Sequence, residues 1–209
     1  MKLNEFLLVF AETGREIRYA QRYEEVALSA LSNLPELSEL FDKHSGAIFD
    51  GGLFKIHNKG SFYLWTKLTF EYFKKFKDNS YCFAFDWIGR QYAVNYFRGK
   101  TMILILDPAT AEVFEVEKNI ELFLNEDLVE NKDYLFDVEQ YQYLGKIFDH
   151  FKFEDCWGFK QFLFLGGKDH VDNFEIIDME VYWELNYQIY CKTKKLPPGT
   201  LINLTIDPL

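Results

Sequence analysis

Cysteine is scarce in this 209-residue chain: only Cys82, Cys156 and Cys191 occur, odd in number and far apart. That pattern excludes a disulfide framework and a cysteine zinc site, and leaves the thiols as small buried hydrophobes in a reducing compartment. The four histidines, His44, His57, His150 and His170, show no HxxxH or HExxH spacing, so no metal centre and no cofactor are expected. GxSxG, GxxxxGKS and GxGxxG are missing too, which removes the nucleophile elbow, the P-loop and the dinucleotide fingerprint. No apolar run approaches the roughly 20 residues of a membrane span. The N-terminus, MKLNEFLLVFAETGR, offers a short apolar run broken by Glu12, so it does not read as a signal peptide, and the cytoplasm is the expected location. Positive charge is also in deficit. Lys and Arg number 23 against 33 Asp and Glu, and the net charge of −10 disfavours a surface for DNA or RNA, which needs clustered cations to displace counterions. A basic protein partner is the easier inference, because carboxylates can stand where phosphates would in a cationic groove.

What is present is aromatic. Phe occurs 22 times and Tyr 13 times within a 48% hydrophobic chain that no Ser/Gly-rich linker interrupts. Such a composition predicts one compact unit over residues 1–209, with a helical region at 1–80 and a second region at 81–209 sharing its core. Thr13 and Glu16 have capping-box spacing ahead of a helical stripe through Leu31 and Ser32, and Pro35 suits the first turn of another helix that Gly46 ends. Leu53–Ile56 reads as a strand, and Ser61 as the cap of a helix carrying Phe62, Trp65, Leu68, Tyr72, Phe73 and Phe76. From Tyr81 the period becomes extended. Tyr81–Asp86, Gln91–Phe97, Thr101–Leu106 and Glu112–Val116 are strand-length runs joined by short turns, which demands an antiparallel meander. Residues 119–153 are helical in pattern. Phe162–Leu165 reads as a strand stopped by Gly166 and Gly167, and Asp178 as the cap of a helix running to about Lys192 on a stripe of Val181, Tyr182, Leu185, Ile189 and Tyr190. The expected class is α+β: an antiparallel meander of about four or five strands packed with N-terminal, central and C-terminal helices.

Candidate functional residues fall into three groups. Between Thr110 and Gln140 ten acidic residues face only Lys118 and Lys132. This is the first candidate for a partner-facing surface, with Glu121, Glu126, Asp127, Glu130 and Asp133 named from it. The acidic loop from Asp169 to Glu175, with Asp169 and Asp172, is the second. The third group is Trp87, Trp157 and Trp183, which would line a pocket if the chain were instead a small-ligand-binding or regulatory domain. A hydrolase using Asp86 or His170 would need those groups within hydrogen-bonding reach of one another. Asp86 and Asp178 are more simply explained as a turn and a cap residue, and Arg90 as a pin for that turn through a charge-assisted hydrogen bond.

The segments CFAFDWIGRQYAV (82–94), LILDPATAEVFEV (104–116), LFLGGKDHVDNFEIIDMEVYWELNYQI (163–189) and LPPGT (196–200), with IFDGGLFKIH (48–57) as a weaker marker, resemble a known bacterial family. That family joins a GAD-related N-terminal region to the C-terminal domain of immunity proteins against type VI secretion DNase effectors, and is akin to the SUKH-type immunity proteins. The resemblance spans about residues 34–205. It implies an α+β fold, no catalytic activity, and the binding and neutralising of a cognate toxin inside the cell. With the acidic charge, that toxin is expected to be a basic protein such as a DNase, and the chain itself a monomer or weak homodimer. It assigns no recognition residues, since the matching positions look like determinants of the fold.

Overall fold

A computed structural model describes residues 1–17, 29–146, 151–197 and 199–201. Its centre is a seven-stranded antiparallel sheet in simple sequence order, β1 to β7. The expected meander is there: β4 (Ser80–Asp86), β5 (Gln91–Phe97), β6 (Lys100–Leu106) and β7 (Val113–Val116) pair in turn, with Val94 opposite Ile103 and Ile105 opposite Phe114. Ile103 to Leu106 are buried, as a run apolar on both faces should be, whereas Phe114 and Glu115 on β7 are exposed.

The sheet is longer than four or five strands because β1 (Glu12–Arg15), β2 (Ala47–Phe49) and β3 (Phe54–Ile56) extend it. Thr13 therefore does not open a helix with Glu16. Its hydroxyl donates to Ile48 O at 3.2 Å and accepts from Gly51 N at 3.0 Å, stitching β1 to the β2–β3 connection. Residues 18–28 of the helix expected there lie outside the described residues, while Leu31 is buried in the core.

Helices cover both faces of the sheet. On one side α1 (Asn4–Val9) sets Phe6 and Phe10 against Phe54 and Phe49, and the chain from α4 (Ile120–Leu122) through a π-helical turn (Phe123–Asp127) into α5 (Leu128–Phe136) closes over Tyr92. Phe54 stands edge-on to Tyr92 at 5.3 Å and to Phe136 at 5.8 Å. Pairs of this geometry contribute about 0.5–1.5 kcal/mol each beyond area burial, which is how few aliphatic layers suffice. On the other side lies α3 (Lys59–Tyr72), preceded by α2 (Pro35–His44), which Pro35 opens as expected. The cap of α3 is Asn58, whose Oδ1 accepts from Gly60 N and Ser61 N. Ser61 sits three residues on and its Oγ accepts in turn from Asn58 N, so it completes the capping box rather than starting the helix.

The C-terminal part forms a separate hairpin, β8 (Asp155–Phe159) with β9 (Phe174–Asp178), and α7 (Met179–Thr193), capped by Asp178 at 3.0 and 3.1 Å. Phe162–Leu165 is not a strand. Leu163–Leu165 is a 3-10 turn that ends at Gly166, and a Cβ on Gly167 would overlap the Gln161 carbonyl, so both glycines serve a chain reversal. The buried stripe of α7 is Met179, Tyr182, Trp183, Asn186 and Ile189, rotated from the expected one because Trp183 packs edge-on to Trp65 of α3 at 5.8 Å. Cys82 and Cys156 are buried thiols, but Cys191 is exposed on the outer side of α7. One cluster of buried side chains runs from Leu3 to Trp183, drawing on residues either side of position 80.

The β4–β5 connection ties these layers together. Asp86, fully buried, accepts from Ile88 N and Arg90 N through Oδ1, and from Arg90 Nε at 2.6 Å and the Tyr92 hydroxyl at 3.0 Å through Oδ2. Arg90 then donates to Leu135 O at 2.7 Å and Trp87 Nε1 to Phe136 O at 2.6 Å, fixing the end of α5. Trp157 N donates to Trp87 O at 2.7 Å, and Trp183 Nε1 to Gly89 O at 2.7 Å, fixing β8 and α7. Gly89 has φ of 81°, and a Cβ there would lie 3.1 Å from Cys156 Sγ, so any side chain at this position would be both strained and crowded. Replacing Asp86 with Ala leaves a buried guanidinium unpaired. Urea unfolding of Asp86→Ala should show a loss of about 3–5 kcal/mol, and Asp86→Leu/Arg90→Met a smaller one; a loss under about 1 kcal/mol for the single variant would refute the pinning role.

Candidate functional site

The acidic residues of the 110–140 stretch separate into two kinds. Glu121 accepts from Lys2 N at 3.0 Å, and Glu126 and Asp127 both hold Lys118, at 2.8 and 2.7 Å, so these three are engaged within the chain. Such exposed pairs stabilise little, but they cancel charge locally. Glu130 and Asp133 lie exposed on the outer side of α5 with no ion pair among the described residues, beside Tyr134, which is 91% exposed.

The second acidic segment meets the end of the first. The chain passes from α5 into α6 (Val138–Gly145) through Asp137, a left-handed residue whose amide caps α5 by donating to Asp133 O and whose carboxylate caps α6 by accepting from Gln140 N at 3.3 Å. This sharp joint turns α6 toward the loop before β9. Asp137, Glu139 and Tyr143 thereby share a cleft of about 420 Å³ with Asp169, His170 and Val171. Burial, and then the neighbouring Asp137, push the Asp169 carboxyl above its ordinary value. Asp172 is exposed on the adjacent 3-10 turn, 3.3 Å from His170 Nδ1. Two acidic segments separated in sequence thus make one concave, carboxylate-rich cleft with Tyr143 in its lining, a surface chemically suited to Lys and Arg side chains. Asp137 and Glu139 belong to the acidic stretch read from the sequence, but their meeting with Asp169, and the part of Tyr143, were not foreseen. Nothing in their spacing marks them, because their proximity depends on the joint at Asp137.

The three tryptophans do converge, but around a turn. Trp87, Trp157 and Trp183 are 1, 3 and 3% exposed, and all three engage the 87–89 connection, two through its carbonyls and one as part of it. Trp183 also borders an open cleft, between α3 and α7. Asp86 is committed to Arg90 and Tyr92, while His170 lies on the exposed loop, so the structure does not bring these two together. Among the described residues no cluster of three His, Cys, Asp or Glu has metal-site geometry, and no helix is long and apolar enough to cross a membrane.

Two further titratable groups are hidden under the sheet. Lys55 on β3 is 1% exposed and donates to the carbonyls of Phe153 at 3.0 Å and Asp155 at 2.9 Å, with the Phe151 and Phe85 ring centroids 4.2 and 4.8 Å from its Nζ. Burial lowers its ammonium to about 7, against the opposing pull of Cys156 and of the Asp155, Asp86 and Glu154 carboxylates. His57 is held by Gln91 Oε1 at 2.8 Å and Ser61 Oγ at 3.1 Å, and burial lowers it to about 3, so it is neutral. Both residues belong to IFDGGLFKIH and serve packing. Between pH 7 and the ordinary lysine value of 10.5 the unfolded chain keeps a proton that folded Lys55 has released, so raising pH in that window stabilises the fold. From about pH 7 to about 8.5, below the ordinary titration of Cys and Tyr, the unfolding free energy of the native chain should rise by up to about 1.4 kcal/mol per pH unit relative to Lys55→Met. Parallel pH profiles by urea denaturation would contradict this.

Comparison with known proteins places the fold and part of the chain. Residues 112–190 match the family model described as T6SS immunity protein Tdi1, C-terminal. That window takes in β7, α4 to α6, the β8–β9 hairpin and most of α7, and hence every residue lining the acidic cleft. No curated protein sequence matches the chain. Among solved structures, the crystal structure of Atu4351 from Agrobacterium tumefaciens superposes with a TM-score of 0.63 over 90% of this chain and 89% of that one, at 18% identity, which shows a shared fold. From Glu112 to Tyr190, then, the chain is similar to the C-terminal domain of a type VI secretion immunity protein, set within an α+β fold that extends over nearly its whole length.

Proposed function

We propose that this protein is an immunity protein that binds a secreted toxin and neutralises it in the cytoplasm of the producing cell, by occupying the toxin's surface and without turnover of its own. The observation that carries the reading is the match of residues 112–190 to a type VI immunity family, over the segment that builds the acidic face of α5, α6 and the 169–172 loop. A cleft bearing Asp137, Glu139 and Asp169, with Glu130, Asp133 and Asp172 exposed on the same matched segment, suits a basic partner, and a nuclease, whose active groove is shaped for phosphates, is the class it suits best. Residues 1–80, the GAD-related region of the resemblance, complete the sheet on which this face is mounted.

Co-expression with the toxin encoded beside it should restore growth and give a single complex on gel filtration; continued killing with no complex would refute the immunity role. The acidic face is tested separately. Glu130→Gln/Asp133→Asn/Glu139→Gln/Asp169→Asn should slow association about tenfold at low salt and flatten its salt dependence, with a smaller change in dissociation. An association rate insensitive to salt in the native chain would remove the acidic face from the mechanism and leave neutralisation itself standing.

A further inference from the structure

A second cleft, of about 320 Å³, lies between α3 and α7 and shares no lining residue with the acidic cleft. Tyr72 and Trp183 form its floor, 5.9 Å apart and edge-on, and Tyr187 packs 5.1 Å from Tyr72. Both floor residues are held in place from behind. The Tyr72 hydroxyl donates to Pro108 O at 3.2 Å and Trp183 Nε1 to Gly89 O at 2.7 Å, so the rings are preorganised. Around them stand Glu71 from α3 and Glu180 and Glu184 from α7, and no basic residue lines the cleft. Among the described residues none of the three carboxylates forms an ion pair; Glu184 accepts one bond, from Gln188 Nε2 at 2.9 Å. Glu180 and Glu184 are also spaced i,i+4 on one helix, a like-charge pair that works against α7. Burial, followed by Asp178 and Glu184, raises the Glu180 carboxyl above its ordinary value. Fixed aromatic rings, unneutralised carboxylates and an unfavourable charge pair are each relieved by one thing, a planar organic cation.

We propose that this cleft receives an arginine side chain of a basic protein partner, its guanidinium entering between Glu71, Glu180 and Glu184 and stacking on the tyrosine rings. Arginine fits better than lysine because its flat, weakly hydrated head can stack and be bound by carboxylates at once. The volume is at the small end of ligand sites, which suits one side chain rather than a free metabolite. The proposal rests on the reading of this chain as a binder of a basic protein, and adds an anchoring contact outside the acidic face.

The test is an amide-resolved NMR titration of the full chain with N-acetyl-arginine amide, and in parallel with its neutral isostere N-acetyl-citrulline amide. Arginine should shift resonances of α3 and α7 around the cleft, citrulline should not, and Glu180→Gln/Glu184→Gln should weaken the arginine response there about tenfold while leaving any response at the acidic cleft unchanged. Equal responses of α3 and α7 to both probes, an arginine response there that the double variant leaves intact, or no shift there would overturn the site. In the toxin complex the same double variant should raise Kd about tenfold; an unchanged Kd would overturn the partner contact. Should the native chain fail to neutralise toxin, the immunity reading falls, while the titration still decides whether the cleft takes arginine.

Discussion

The ion pair between Asp86 and Arg90 is the constraint from which the rest of the molecule hangs. It is formed within one turn, between residues four apart, yet it reaches three layers: Arg90 and Trp87 grip the end of α5, Gly89 receives Trp183 of α7, and Trp87 receives β8. Buried ion pairs often contribute little net stability, since desolvation offsets attraction, but losing one partner is costly. Here the pair is saturated with further hydrogen bonds from Ile88 N and the Tyr92 hydroxyl, so its effect is to make one arrangement of the turn far better than any other. A sheet with helices on both faces and an appended hairpin needs such a device, because aromatic packing alone is tolerant of small rotations.

The same logic applies beneath β3. Lys55 and His57 alternate with Phe54 and Ile56, so the strand turns an apolar edge toward α1 and α5 and a polar one toward α3 and the hairpin. An ammonium buried among carbonyls and phenyl rings is an expensive choice for a core, and its lowered pKa records that expense. What it secures is register: the carbonyls of Phe153 and Asp155 are drawn to one point on β3, which sets where β8 begins.

Much of this architecture was legible in the sequence, and what was not has identifiable reasons. The meander from Ser80 to Val116 announced itself by strand-length runs and tight turns, and the roles of Pro35, Arg90 and Asp178 followed from local chemistry. β1 and β2 did not, because strands of four and three residues carry no period, and because Thr13 and Glu16 happen to have the spacing of a cap. Phe162–Leu165 looked like a strand on apolarity alone, whereas the paired strands on either side, β8 and β9, are identified only by their mutual register. The acidic surface was found as a stretch but not as a shape. Glu121, Glu126 and Asp127 are spent on internal partners, and the cleft depends on Asp137 adopting a left-handed conformation that brings Glu139 to Asp169, a long-range outcome no local pattern encodes.

The arrangement also separates what must stay fixed from what can change. On α5 the inward residues Leu128 and Phe136 are buried, and the carbonyls of Leu135 and Phe136 hold the central turn. The outward residues Glu130, Asp133 and Tyr134 are exposed, with no salt bridge from either carboxylate within the described chain. Substituting them costs the fold little, since exposed positions without partners change stability by only about 0.5 kcal/mol. The binding role proposed here would draw on that division: the helix is located by its backbone and its inner side, so charges and rings on its outer side can change without loss of the fold.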